Sequence, residues 1–401
     1  MKPLTSCAFF GANRVLAGIR DALIIQHSVI GCHWGTLALS YNSCPNNVRQ
    51  ASTVVYNENV IEGGNELLEK ALREAEELYG HMEAVFIISG CVPNMIGDNV
   101  DGVIKAFPSK RPLAHVAAPG YSGHMEEGML KAYKSLLPFI GKGSRSSLPT
   151  VNIMGLMADD PYVKEDMAAL KRLLAGKVAI GCCLHSCTME ELGQMASADL
   201  NISFGTGVAL AQELEKAQGM AYWQAEYPYG IGGLKSFLRE LGKRLEVDFT
   251  EEIAALEEAG KGLASSCADY LVNLYQLPVA LLGDRAHLQG MKSFLTKELG
   301  MVVVIEELIE NADLNKIAQA IEEKGPVLLC GSSFMRELAK KKSIPLLPYI
   351  YPLFHRINLT SVGLVGAEGT AHLLEQLINS ALEQEYKEEG LYAGLREAIN
   401  E

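Results

Sequence analysis

The chain has 401 residues, 48 % of them hydrophobic and 21 % charged, a globular composition too long for one core, so two or three domains are expected. A formal net charge of −13 argues against a nucleic-acid partner, and the single basic run, Lys340-Lys341-Lys342, reads as the solvated end of a helix. No apolar run approaches the roughly 18 residues that a membrane span needs, and the N-terminus has no signal-type apolar stretch; no membrane association and a cytoplasmic location are expected.

Short apolar runs that stop at Gly, Ser, Asp or Cys alternate with stretches of helical period, the pattern of parallel sheets covered by helices. In the first third, the periodicity predicts a helix over 12–26, a Gly-Cys turn at 31–32, an extended piece at 53–56 and a long helix over 62–79. A strand at 84–88 ending in Ser89-Gly90-Cys91 and a helix over 97–106 follow. The middle third reads as strands at 151–154, 178–182, 200–204 and 222–227, with helices over 161–174, 189–195, 207–217 and 232–244. Residues 245–274 read as helical. The last third gives strands at 278–282, 301–305 and 326–330, with helices over 286–299, 312–323 and 334–341. The fold class expected is α/β, with three Rossmann-like domains, each a parallel sheet flanked by helices. Their expected bounds are 1–146, 147–275 and 276–401, the last ending in a helix.

Nine cysteines in a chain expected to be reduced are thiols, metal ligands or core residues rather than disulfides. Three sit where α/β proteins bind ligands, beyond the carboxyl ends of strands or before a helix: Cys7 near Gly11, Cys32 after Gly31, and Cys91 after Gly90. Thiolates near helix N-termini, with glycine leaving room, suit an iron–sulfur cluster. Their spacing matches no compact metal motif, so on the residues alone core packing competes with ligation. Gly181-Cys182-Cys183-Leu184-His185-Ser186-Cys187 is a second concentration of soft donors. There Cys183 and Cys187 are candidate metal ligands, with core packing the favoured reading. Cys44, Cys267 and Cys330 show no partner pattern. Gly205-x-Gly207 is half of a dinucleotide fingerprint, and no G-x-x-x-x-G-K-[ST] phosphate loop occurs.

The flanks of the three cysteines carry a resemblance. Cys7-Ala8-Phe9-Phe10-Gly11-Ala12, Gln26-His27-Ser28-Val29-Ile30-Gly31-Cys32 and Ser89-Gly90-Cys91-Val92-Pro93-Asn94-Met95-Ile96-Gly97-Asp98 occur in order. They resemble the cluster-cysteine segments of the nitrogenase component 1 superfamily. Ala118-Pro119-Gly120-Tyr121-Ser122-Gly123, Pro228-Tyr229-Gly230 and Tyr351-Pro352-Leu353-Phe354-His355-Arg356 are similar to further segments of that family, the last to its β-type subunits. The resemblance implies that Cys7, Cys32 and Cys91 ligate an iron–sulfur cluster, [4Fe-4S] or a P-cluster-like [8Fe-7S]. It also implies a paired α-like component 1 subunit, or a second copy in a homodimer, and a P-loop reductase resembling the iron protein, with any metallocofactor held by the partner.

The departures shape the expected activity. Asn201–Gly207 lacks the cysteine with which α-type subunits hold their catalytic cofactor, and His355 and His372 lie in a β-like context. Gly120, with Ser122 nearby, stands where a β-type serine assists the double cluster. The function expected is therefore an electron-relaying, β-like subunit of a nitrogenase-like oxidoreductase, with no catalytic residue assigned in this chain. The alternatives are a scaffold for assembling a nitrogenase-type metallocofactor and a subunit of the tetrapyrrole-reductase type.

Overall fold

A computed structural model describes residues 6–40, 49–143, 146–358 and 361–388. Cys44 lies outside these residues. Three four-stranded parallel sheets carry the fold, and all three share one strand order. The first contains β1 (Ala22–His27), β2 (Arg49–Ser52), β3 (Ala84–Ser89) and β4 (Leu113–Ala117), ordered β2-β1-β3-β4. The second contains β5 (Thr150–Met154), β6 (Ala179–Cys183), β7 (Leu200–Ser203) and β8 (Tyr222–Gln224), ordered β6-β5-β7-β8. The third contains β9 (Pro278–Gly283), β10 (Val302–Leu308), β11 (Leu328–Gly331) and β12 (Leu346–Pro348), ordered β10-β9-β11-β12. The expected α/β class is the one found.

Two compact units result. One lies within Thr5–Asp160 and Leu174–Ala225 and contains the first two sheets; the other contains Pro161–Leu173 and the chain from Glu226, with the third sheet. The helix Val163–Leu174 therefore leaves its sequence neighbours, and Asp166 shows why. One oxygen of its buried carboxyl accepts from the N–H groups of Leu364 (2.6 Å) and Val365 (2.9 Å), the other from the Tyr227 hydroxyl (2.8 Å). Burial raises the Asp166 carboxyl from 3.8 to about 6, against these donors.

In the first sheet the central strands β1 and β3 are buried along their whole length, whereas β2 and β4 at the edges are only partly covered. A strand covered on both faces reads as an unbroken apolar run, and Ala22–Ile25 is such a run. The expected helix over 12–26 is thereby corrected: the helix is Ala8–Leu16, and Ala22–His27 is the central strand. Gly18 marks the break, since a Cβ there would stand 1.9 Å from the Leu184 carbonyl oxygen. The long helix expected over 62–79 begins later, at Asn65, after a separate short helix Asn57–Glu62. The helix expected over 97–106 begins later, at Val100, and a separate short helix, Cys91–Ile96, precedes it and ends at Gly97 in the left-handed region.

The helix Ala8–Leu16 crosses Met125–Leu136 at a close approach that only glycine permits. A Cβ on Gly11 would meet the Met125 carbonyl oxygen at 1.8 Å, and one on Gly128 would meet that of Ala8 at 1.8 Å. Arg14 anchors the same helix with Nε on Asp159 (2.7 Å) and Nη2 on Asp160 (2.6 Å), all three buried. Among the described residues no helix is long and apolar enough to cross a membrane.

Candidate functional site

A strand order of 2-1-3-4 places a switch point between the first and third strands, where successive connections leave in opposite directions and open a crevice at the carboxyl ends. In the first sheet these strands are β1 and β3. The chain leaving β1 enters the helix Ile30–Ser40, with Cys32 in its first turn; the chain leaving β3 enters Cys91–Ile96, with Cys91 as first residue. Cys7 is the N-cap of Ala8–Leu16, held beside the segment after β4 by the bond from Ala8 N–H to the Gly123 carbonyl (3.1 Å).

The three thiols converge. A Cβ built on Gly120 would lie 3.0 Å from Cys7 Sγ and 3.2 Å from Cys91 Sγ, so the bare glycine forms one wall between two sulfurs. The Gly120 N–H donates to Cys91 Sγ at 3.0 Å. Burial raises the Cys32 thiol above its ordinary value; Cys7 and then Cys91 push the same way, and a hydrogen bond with Ser28 opposes them. The Cys32 thiolate is thus disfavoured by burial and by its two sulfur neighbours. All three thiols are half-buried, as are Cys183 and Cys267, whereas Cys182, Cys187 and Cys330 are buried in the core.

Among the described residues no three His, Cys, Asp or Glu side chains lie close enough to share one metal ion. A multi-iron cluster distributes its cysteines over several irons, so its ligands need not meet at a point. Three convergent sulfurs, an N–H aimed at one of them and a wall without a Cβ fit such a group.

Behind the sulfurs lies a polar layer that the sequence pattern does not single out. Gln26 Nε2 donates to Asn13 Oδ1 (2.8 Å) and Thr36 Oγ1 (3.1 Å), and His27 Nε2 meets Asp98 Oδ2 at 3.0 Å. Ser89 Oγ meets His115 Nε2 at 2.8 Å, whose Nδ1 meets Asp101 at 2.8 Å. The available signal was Gln26-His27, two polar residues closing an apolar strand. In front, large apolar side chains stand exposed on the same segments: Ile30, Trp34 (67 % exposed) and Leu37 on the Cys32 helix, Met95 (72 %) on the Cys91 helix, and Tyr121 beside Gly120.

In the second soft-donor group Cys187 is hydrogen-bonded with Cys182. A hydrogen bond with Cys187, then burial, raises the Cys182 thiol well above its ordinary value, which makes it a poor nucleophile. Cys183 is half-buried at the end of β6, and His185 is buried with Nδ1 lacking a hydrogen-bond partner. Gly205 and Gly207 belong to a tight turn: a Cβ on Gly155, whose φ is +92°, would stand 1.8 Å from the Phe204 oxygen. His355 Nδ1 bonds Ser333 Oγ at 2.6 Å, and the His372 ring packs edge-on against Tyr162.

Repeated 2-1-3-4 sheets with thiols, in place of a phosphate-cradling glycine loop, at one switch point define a Rossmann-like α/β protein with a soft-donor site. The profile of the family described as "Nitrogenase component 1 type Oxidoreductase" matches residues 7–306 and 305–382. The chain belongs to that family. It is 29 % identical over 327 residues to the "Nitrogenase iron-molybdenum cofactor biosynthesis protein NifE" of Nostoc sp., an alignment covering 77 % of this chain and 66 % of the relative, just under two thirds of its length. With the "Nitrogenase molybdenum-iron protein beta chain" of Methanothermobacter thermautotrophicus it shares 22 % identity, over 96 % of this chain and 95 % of the other. The solved structure "Nitrogenase Cp1 at pH 6.5" has the same fold, with a TM-score of 0.81 at 19 % identity, covering 97 % of this chain and 94 % of that one.

Proposed function

We propose that Cys7, Cys32 and Cys91 hold an iron–sulfur cluster and that the chain is an electron-relaying, β-like subunit of a nitrogenase-like reductase. The observation that carries this reading is the meeting of the Cys7 and Cys91 thiols at Gly120, with Cys32 close enough to feel both, at the switch point of the first sheet. When bound, such a cluster supplies one-electron storage at a potential set by hydrogen bonds to its sulfurs and by exposure. This chain's contribution is to hold the sulfurs, to aim the Gly120 N–H at Cys91, and to shield the site from behind with β1 and β3. Three cysteines leave a four-iron cluster one ligand short. The exposed rim of Ile30, Trp34, Leu37, Met95 and Tyr121 supports a partner that covers the site, an α-like subunit or a second copy of this chain. A phosphate loop is lacking, so ATP-coupled delivery falls to a separate P-loop reductase.

A second reading, a scaffold on which a nitrogenase-type metallocofactor is assembled, is favoured by the 29 % identity to a cofactor biosynthesis protein. Anaerobic purification with iron and sulfide quantification tests the cluster. Cys32→Ala should lose the iron, and an unchanged iron content overturns the assignment. Steady-state reduction with a P-loop reductase and ATP supports the relay; transfer of bound metal to an acceptor chain without turnover supports the scaffold.

A further inference from the structure

His27 and Asp98 form a buried hydrogen-bonded pair, 0 % and 2 % exposed by side chain, that joins the two cysteine-bearing turns. His27 is the last residue of β1, five before Cys32, and Asp98 follows the helix that begins at Cys91. The His27 carbonyl also accepts from Gly90 N–H at 2.9 Å, directly before Cys91. On the far side, Asp98 Oδ1 accepts from Gly64 N–H at 2.7 Å, and His27 Nδ1 lies 3.0 Å from Thr53 Oγ1. Burial lowers the His27 imidazole, and its bond to Asp98 opposes the shift. With a carboxylate at Nε2, the hydrogen-bond network assigns the proton to Nε2 and leaves Nδ1 to accept from Thr53.

Stability is a poor explanation for this pair, because burying a carboxylate costs desolvation that apolar side chains of the same volume would avoid. Greasy contacts would close the space equally well but would set neither direction nor charge. Here four segments meet: the end of β1, residue 53, the Gly64 turn and the end of Cys91–Ile96. The fit is close enough that a Cβ on Gly64 would stand 2.4 Å from Asp98 Oδ2. The pair also brings a carboxylate behind the turns that carry two of the three sulfurs.

We propose that His27–Asp98 is a positioning pair for the thiol basin: it fixes the Cys32 and Cys91 turns at the separation their metallocentre needs, and its carboxylate lowers that centre's reduction potential. The inference rests on the cluster proposed above. Groups that orient metal ligands from behind act on affinity and potential without touching the metal.

The test uses the full chain purified anaerobically, wild type against Asp98→Asn and Asp98→Ala. Asp98→Asn preserves the shape, its amide oxygen still accepting from Gly64 and its NH2 donating to the other His27 tautomer. It should keep wild-type iron and sulfide while its midpoint potential rises. Asp98→Ala should retain iron against a chelator about 10- to 100-fold less well. Should Asp98→Ala not fold, His27→Ala and His27→Gln replace it: Gln, which can donate to Asp98, should restore the iron that Ala loses. An unmoved potential in Asp98→Asn overturns the inference, as does wild-type iron retention in Asp98→Ala or His27→Ala. A wild-type chain without iron overturns the cluster itself, which keeps the two failures apart.

Discussion

The ends of β1 and β3 and the ends of β5 and β7 are the same place in two sheets of identical strand order, and the chain fills them in opposite ways. In the first sheet Gly90 N–H donates to the His27 carbonyl at 2.9 Å, and beyond that bond the turns carry Cys32 and Cys91, with bare Gly120 set against the sulfurs of Cys91 and Cys7. In the second sheet Gly155 and Gly207 bring the backbones into contact, the Gly207 Cβ position lying 2.6 Å from Gly155 N. A switch point is thus an opportunity for a site, and the side chains and glycines at the two strand ends decide whether it opens. The third sheet, in the other unit, ends β9 and β11 in Asp284 paired with His287 and Ser333 bonded to His355, hydrogen-bonded pairs without a thiol group.

Closing one crevice with backbone and leaving the other to side chains predicts unequal tolerance of a single methyl group. Gly155→Ala forces a left-handed backbone and a 1.8 Å contact with a main-chain oxygen. It should cost about 3 kcal/mol or more, read as a lowered denaturant midpoint. If the loss is under about 1 kcal/mol, the second crevice is not closed by these glycines.

The two units should also answer pH with opposite sign. In the first, burial holds the His185 imidazole down from 6.5 to about 4, with Arg20 adding to the effect. Its folded value lies below its unfolded one, so the contribution is present above pH 6.5 and is lost as pH falls through 4. In the second, Asp166 is raised from 3.8 to about 6, so its contribution is present below 3.8 and is lost as pH rises through 6. A tenfold change in proton affinity corresponds to about 1.4 kcal/mol, so each contribution reaches roughly 3 to 4 kcal/mol at most. Unfolding followed by hydrogen exchange from pH 4 to 7 should show both slopes, with His185→Gln flattening only the first and Asp166→Asn only the second.

The smallest effect is expected at Gly120. A Cβ there meets two thiols, which can rotate away, rather than main chain. Gly120→Ala should cost only about 1 kcal/mol. In the metal-free chain it should nonetheless change the alkylation rates of Cys7 and Cys91 while leaving that of Cys267 alone. Equal rates at all three would mean that Gly120 does not wall the basin.

Much of this protein was legible locally. Apolar runs marked nearly every strand of the second and third sheets, because a buried parallel strand needs no partner in sequence to look apolar. The flanks of Cys7, Cys32 and Cys91 marked the residues proposed to hold the cluster. The helix expected over 12–26 failed because helical periodicity continues from Val15 toward Ile25. What ends the helix is the approach of Leu184 to Gly18, a contact 166 residues away in the chain. Edge strands β4 and β12 were not foreseen, since a half-covered strand of three to five residues carries little pattern.

By itself, then, the sequence determined the α/β class and named three cysteines with the glycines beside them. Only the tertiary structure decided that Cys187 meets Cys182, and that the Asp166 carboxyl bonds the backbone at Leu364 and Val365. It alone brought His27 and Asp98, 71 positions apart, together behind the sulfurs. The reason is that local pattern records how one residue meets water, whereas convergence depends on strand order, and strand order is settled by packing across the whole sheet.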